Sequence, residues 1–445
     1  MSVILAALTV APAAWFLYSR LKALISSPRL NLPYVKFEGD NSRSRYRTQS
    51  ATILAKGYAQ QSILTQIGGP GITDEVNMAA RQGLNRALDW TSLQPYPLIV
   101  KTFASMSACA IIGPELGGLE SEWQMLSMRY VEAALSAPSK VEAKYPAWLY
   151  WLSRYTNDGV KAMWKYQARA AELLAPVLGA RVAATQELQA GPRKRGGKGP
   201  RKFEDGVQWL YGAHTARGNQ LTAEQLPRDL FVIMTASIHS TSGAGLAILI
   251  DMPEHPRALS EIRDEIARVK AANPTWTRQA LGELQILDSF MREGARFHAL
   301  TQYTAVQRIP TSDFTFKDGL TIPAGTTLAF PSFHHNFDPA VHPQPESFDT
   351  MRHLRKRQER TNTHRYHFAS VSDDMMNWVA GRHACPGRFF AQETLKLMFI
   401  HLLTHYEFKH AEDTKESPRY LSNNLFVIAN PALPVLFREK EVVSK

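Results

Sequence analysis

The longest internal run of apolar positions, residues 230–252 (LFVIMTASIHSTSGAGLAILIDM), is hydrophobic on every side, which predicts a buried helix rather than a surface one. Its middle, residues 237–243, is small and polar. Burying hydroxyls and an imidazole without partners is costly. Either a cavity or ligand lies beside this turn, or the hydroxyls bond back to their own helix carbonyls. Between residues 74 and 188 apolar residues recur at helical spacing, as in Met78, Leu84 and Leu88 and again in Met125, Met128, Tyr130, Ala133 and Ala134. Residues 289–299 and 387–406 predict two more helices. Between these lie short strand-like pieces, 303–307, 314–316, 320–322 and 326–330, punctuated by Gly319 and the turn Pro323-Ala324-Gly325. Residues 425–434 with 435–437 read as a terminal hairpin. The expectation is a mainly α fold with a small β-sheet concentrated after residue 300.

The first 19 residues carry no charged side chain and would span about 28 Å as a helix, close to a bilayer core. Arg20 and Lys22 follow the apolar stretch rather than precede it, so an uncleaved anchor over residues 1–22 with its carboxyl side in the cytoplasm is expected over a cleaved signal. A helix that packs on the domain is the alternative, because Pro12 interrupts the segment. A polar linker, 23–50, leads to one large domain, 51–445. A chain of 445 residues with 44% apolar and 20% charged residues can bury a cofactor-sized cavity. Its formal charge of +11 resides partly in two basic runs. One, Arg193, Lys194, Arg195, Lys198, Arg201 and Lys202, lies in a Gly/Pro-rich stretch and reads as a solvated loop rather than a nucleic-acid patch. The other comprises Arg352, Arg355, Lys356, Arg357 and Arg360.

Only Cys109 and Cys385 are present, too few for a disulfide framework or a multi-cysteine zinc site. Cys385 stands in WVAGRHACPGRFF, where Pro-Gly and an amphipathic helix follow it. That places its sulfur at a helix amino terminus, whose N–H groups and dipole stabilise a thiolate. One thiolate without further cysteines suits a proximal heme ligand better than zinc. Glu293 and Arg296, in EGAR, share one helix face by their i,i+3 spacing; alone, such a pair is usually a surface ion pair of little worth.

The segment around Cys385 resembles the heme-binding loop of cytochromes P450, especially the GRHACPGRFFA form of fungal members. The resemblance extends over most of the chain from about Arg81 to Phe437. It implies that Cys385 is the axial ligand of heme b and that His383 takes the place of a propionate-binding basic residue. Trp378 and Val379 stand where the family commonly has Phe and Gly. Glu293 and Arg296 are similar to the family's Glu-x-x-Arg helix, and PESFDTMR supplies Arg352 as a second arginine, implying a buried network that pins the heme loop. Residues 236–241 are similar to the distal oxygen-binding groove, with His239 at the acid's place, Ser240 at the threonine's and Thr241 next to it. Arg81 and Arg308 correspond more weakly to propionate contacts and could equally be surface charges. Leu300, Thr301, Thr304 and Phe426 fall where family members line the substrate pocket, or belong to ordinary core. The family normally has several dozen more residues where this chain has only 61–80.

The resemblance implies oxygen insertion from O2 into an apolar small molecule. An NADPH-dependent cytochrome P450 reductase would supply electrons at the endoplasmic reticulum, and no nucleic acid is involved. The sequence is similar in style to fungal ent-kaurene oxidases, which implies a terpenoid-type secondary metabolite; a heme-binding, non-catalytic homologue is the alternative. The second basic run is expected to surface beside the thiolate and attract an acidic reductase face.

Overall fold

The computed structural model describes residues 89–118, 121–190, 203–304, 308–359, 364–411, 417–422 and 426–440. The anchor, the linker, the short stretch 61–80, Arg81, the first basic run and Arg360 lie outside the described residues. The principal helices are α1 (Pro95–Ile112), α2 (Glu122–Lys144), α3 (Asp158–Gln189), α4 (Gly206–Thr215) and α5 (Leu226–Asp251). They continue as α6 (Pro256–Ala272), α7 (Gln285–Phe297), α8 (Arg352–Gln358) and α9 (Arg388–His405). Polar side chains start three of them. Ser121, Asn157 and Asp205 accept the N–H groups of Gln124, Val160 and Gln208, satisfying donors that a helix start leaves orphaned.

The run that reads as a buried helix is α5, beginning four residues earlier than its apolar pattern. Phe231 near its start stacks on Trp123 and Tyr130 of α2, with ring centroids 5.1 and 4.3 Å apart. Gly245, further along, is where three helices converge. A Cβ there would lie 3.1 Å from Leu395 and 3.2 Å from Met398 of α9, and 3.4 Å from Phe103 of α1. Close helix approach thus requires glycine at this position. By length and composition α1 and the α5 segment could each cross a membrane, yet most of each apolar window is buried inside the fold. Core burial explains their apolarity.

Strands β1 (Thr91–Leu93), β2 (Phe314–Thr315), β3 (Thr321–Ile322), β4 (Tyr406–His410), β5 (Tyr420–Ser422), β6 (Val427–Ala429) and β7 (Val435–Glu439) make three small antiparallel sheets. The largest has the order β1-β7-β4, so one strand comes from before α1 rather than after residue 300. β2 pairs with β3 about the Gly319 turn. Residues 326–330 contribute a single bridge, Leu328 to Arg308, instead of a strand, and 305–307 lie outside the described residues. The terminal hairpin does not form. β6 pairs with β5, and β7 with β4 and β1. Pro431 and Pro434 offer no N–H to a ladder, and Asn430 closes a local turn onto Ala432, so the chain leaves one sheet for another.

The second basic run is a further correction. Arg352, Arg355, Lys356 and Arg357 of the run occupy α8, whose helical turn points Arg352, His353 and Arg357 inward. Arg357, 5% exposed, donates to Asp288 at 2.8 Å and to the Gln285 carbonyl at 2.7 Å. Lys356 holds Asp374 at 2.9 Å, while Arg355 is exposed and pairs with Asp349. Arg352, Lys356 and Arg357 thus brace the fold, while Arg355 stays at the surface. Arg357→Ala should therefore destabilise the protein by about 3–5 kcal/mol by removing one partner of a buried charge cluster at Asp288. Arg355→Ala should cost less than about 1 kcal/mol, as exposed pairs do. Urea unfolding of both variants checks this; equal midpoints would contradict the buried assignment.

Candidate active site

Cys385 lies three residues before α9 in a loop held at both ends. Its N–H donates to the Trp378 carbonyl at 2.8 Å, and its own carbonyl accepts from Arg388 at 2.8 Å. Trp378 is fixed by its indole N–H, which donates to the Phe368 carbonyl at 2.6 Å, and by an edge-on contact with the Phe368 ring. Burial pushes the Cys385 thiol up. The Gly387 N–H, the Arg388 guanidinium and the Arg388 N–H pull it the other way, stabilising the anion at the sulfur. Two residues of the loop sit in the left-handed region, Gly381 at φ 64° and Val379 at φ 59°. Glycine tolerates this and a β-branched side chain does not.

Behind the loop, Glu293 on α7 is fully buried and saturated with donors. Arg296 reaches it at 2.9 and 3.0 Å, Arg352 at 3.1 Å, His353 at 3.1 Å and the Asp349 N–H at 3.0 Å. Against the opposing effect of burial, hydrogen bonds from His353 and Arg296 hold the carboxyl far below the usual carboxylate range. Arg296 also donates to the Asn336 carbonyl at 2.6 Å. The Asn336 amide reaches Asn377 at 3.1 Å, and Asn377 donates to the Ala295 carbonyl at 2.6 Å. Asn377 precedes Trp378, so this chain of amides ties the network to the cysteine loop. A second buried carboxylate, Asp288, holds Lys396 of α9 and Arg357, each at 2.8 Å, and accepts the Phe368 N–H at 3.0 Å. Arg292 donates to the His367 and Ser370 carbonyls and to Ser372. Sequence reasoning missed the two asparagines, Asp288, Arg292 and Lys396. For Lys396 a signal existed: a lysine inside the apolar helix LKLMFIHLL needs a buried partner.

The middle of α5 opens on one face. Ala236 and Ser240 are exposed and Gly243 and Ala244 half-buried, while the helix on either side is buried. All four are small and lie at i, i+4 and i+7/i+8, a cradle against which a flat group could rest. The hydroxyls also bond back, Ser240 to the Ala236 carbonyl at 2.6 Å and Ser237 to that of Met234 at 3.2 Å. Both accounts of the polar interruption therefore hold at once. Of the three residues singled out here, Ser240 faces the open side. His239, one residue away and so rotated about 100° around the axis, is half-buried with Nδ1 3.5 Å from the Tyr96 hydroxyl, and burial lowers its pKa. Thr241 is buried.

Leu300 closes over this turn, with its Cδ2 3.4 Å from where a Gly243 Cβ would be. Its carbonyl accepts the Val427 N–H at 3.3 Å, and Thr301 bridges the half-exposed Phe426. Thr304 is buried against Phe330 instead. His383 is partly buried near Cys385, whereas Arg308 lies on an exposed edge bridged to Leu328. The Gly387 and Arg388 N–H groups at the sulfur and the small-residue face of α5 fit an iron porphyrin in donor chemistry and in side-chain size.

This architecture is that of a solved P450. It matches retinoic acid bound cyanobacterial CYP120A1 with a TM-score of 0.63 at 16% identity, over 90% of this chain and 80% of the other. A family model described as Cytochrome P450 matches residues 119–437. The cytochrome P450 monooxygenase CYP2 of Pyricularia oryzae is 35% identical over 419 residues, 94% of this chain and 88% of that protein. The pyrichalasin C-7 hydroxylase of Pyricularia grisea is 29% identical over 482 residues, 92% of each. The chain belongs to the cytochrome P450 family, whose members are oxygen-incorporating oxidoreductases with a heme-iron cofactor.

Val379→Gly should relieve about 1–2 kcal/mol of left-handed strain while adding about 0.5–1 kcal/mol of unfolded-chain entropy. The net expectation is a small gain in thermal stability with the loop retained. A lower melting temperature would show that the valine side chain contributes more by packing than it costs in backbone strain.

Proposed function

We propose that this chain is a heme-thiolate monooxygenase with Cys385 as the axial ligand, inserting one oxygen atom from O2 into an apolar small molecule. The single observation that carries this is the sulfur of Cys385, set at the start of α9 with the Gly387 and Arg388 N–H groups on it. Heme iron, when bound, supplies dioxygen binding and activation. The chain's own residues do the rest. The N–H donors favour the anionic form of the sulfur against the effect of burial, and the Glu293 network keeps the loop from shifting. His383 offers a donor for a propionate, with Arg81 and Arg308 as the further candidates. Ser240 can accept a proton at Oγ while its own hydrogen points to the Ala236 carbonyl, which suits a relay of protons toward the open face of α5. His239 and Thr241 act in this reading from behind that face rather than on it.

Electrons would come from an NADPH-dependent cytochrome P450 reductase, and residues 1–22 would tether the domain to the endoplasmic reticulum with its catalytic part in the cytoplasm. A terpenoid-type fungal secondary metabolite is the substrate class proposed from the sequence. The name of the relative that hydroxylates pyrichalasin at C-7 supports testing that scaffold beside it.

The reduced, carbon monoxide-bound spectrum tests the ligand. The unaltered protein and Cys109→Ser should give the red-shifted thiolate Soret band, and Cys385→Ala should lose it, because no soft anion remains for iron. A thiolate band in Cys385→Ala would sink the assignment, and its absence from the unaltered protein would favour a non-catalytic homologue. Ser240→Ala should keep the band but release peroxide at the expense of product, several-fold above the unaltered protein. Unchanged coupling would remove Ser240 from the relay.

A further inference from the structure

At its carboxyl end α5 carries Asp251, which meets two side chains that the reaction does not require. The imidazole Nε2 of His298, at the carboxyl cap of α7, lies 3.0 Å from both carboxylate oxygens of Asp251. Tyr420 of β5 donates to the same carboxylate at 2.8 Å and to the Ala247 carbonyl at 3.3 Å. The two rings stack, with centroids 3.8 Å apart and planes 9° from parallel. Burial, and then Asp251, push the Tyr420 hydroxyl well above its ordinary pKa, so it stays a donor.

The segments these groups fasten are those that close over the open turn. Two residues after His298 comes Leu300, which touches Gly243 on α5. Two residues after Tyr420, Ser422 accepts from Gln302 at 3.0 Å. Beyond it Phe426 bridges Thr301, and the Val427 N–H donates to Leu300. The contacts form a ring that leaves α5 at Asp251, passes through His298 to Leu300, crosses to the β5–β6 hairpin, and returns through Tyr420. Asp251 lies eight residues along the helix from Gly243, about 12 Å at 1.5 Å per residue.

We propose that Asp251, His298 and Tyr420 are positioning residues that set the width of the substrate cavity by fixing the Leu300 segment and Phe426 beside the open face of α5. This rests on the reading of that face as the substrate side. The carboxylate serves two donors from two different chain segments, so neither can shift without the other losing its partner. Side chains on Leu300 and Phe426 then discriminate substrates by bulk, while the heme site is untouched.

The test uses the heme-loaded protein and two probes that bind iron through nitrogen, imidazole and the bulky azole ketoconazole. In Tyr420→Phe the Kd for ketoconazole should change at least threefold while that for imidazole stays within twofold, and the carbon monoxide spectrum should be unaltered. Amide hydrogen exchange in residues 299–304 and 420–422 should quicken. Unchanged affinities for both azoles overturn the proposal, whether or not exchange quickens, because the contacts would then hold structure without shaping the cavity. Should Tyr420→Phe fail to retain heme, His298→Gln, which removes the stack but keeps a donor near Asp251, is measured in its place. An absent thiolate band in the unaltered protein overturns the site reading on which the proposal rests, an outcome distinct from unchanged azole affinities in a protein that shows the band.

Discussion

A carboxylate cannot be buried without enough donors to replace water, and α7 buries two, Asp288 and Glu293. Most of what lies between Asn336 and the cysteine loop is positioned by the need to satisfy them. Glu293 draws in Arg296, Arg352, His353 and the Asp349 backbone; Asp288 draws in Arg357, Lys396 and the Phe368 backbone. Arg296 and Arg352 then spend further hydrogens on carbonyls of Asn336, Pro345, Pro343 and Gln344, as the neighbouring Arg292 does on His367 and Ser370. An irregular stretch with little regular secondary structure is thereby fixed as firmly as a sheet.

The result is a rigid platform behind a sulfur that must stay in one place. Asn336 and Asn377 carry the order outward from Arg296 to Trp378, whose carbonyl holds the Cys385 N–H. On the opposite side, Lys396 joins α9 to Asp288, so the helix that begins just after the cysteine is anchored to the same carboxylate as the loop that precedes it. The strain at Val379 is tolerable only inside such a frame.

The parts of this arrangement that could be read from the sequence are those encoded within a few consecutive residues. The cysteine followed by Pro-Gly and a helix, the i,i+3 pair of Glu293 and Arg296, and the polar break in an apolar helix are local patterns. What could not be read depends on partners distant in the chain. Arg357 and Lys356 look like solvent-facing charge until Asp288 and Asp374 are seen beside them. The separation of Ser240 from His239 follows from helical rotation, but which of them faces the open side depends on where α1 and Leu300 pack. Likewise β7 was read as the partner of its sequence neighbour, because two short apolar runs around a proline turn carry no information about β1 and β4.

That last arrangement bears on how the protein is made. The central strand of the principal sheet is β7, at the end of the described chain, and it alone joins β1 to β4. A ribosome emits β1 and the apolar α1 hundreds of residues before their sheet partner exists, at about 5–20 residues per second. During that interval the nascent chain exposes an unpaired edge and a hydrophobic helix, and closure waits for one of the most non-local contacts the topology contains. Closure of this sheet therefore comes only after nearly all of the described chain has been made, and a ribosome that stops between β4 and β7 leaves those two flanking strands with no neighbour to share.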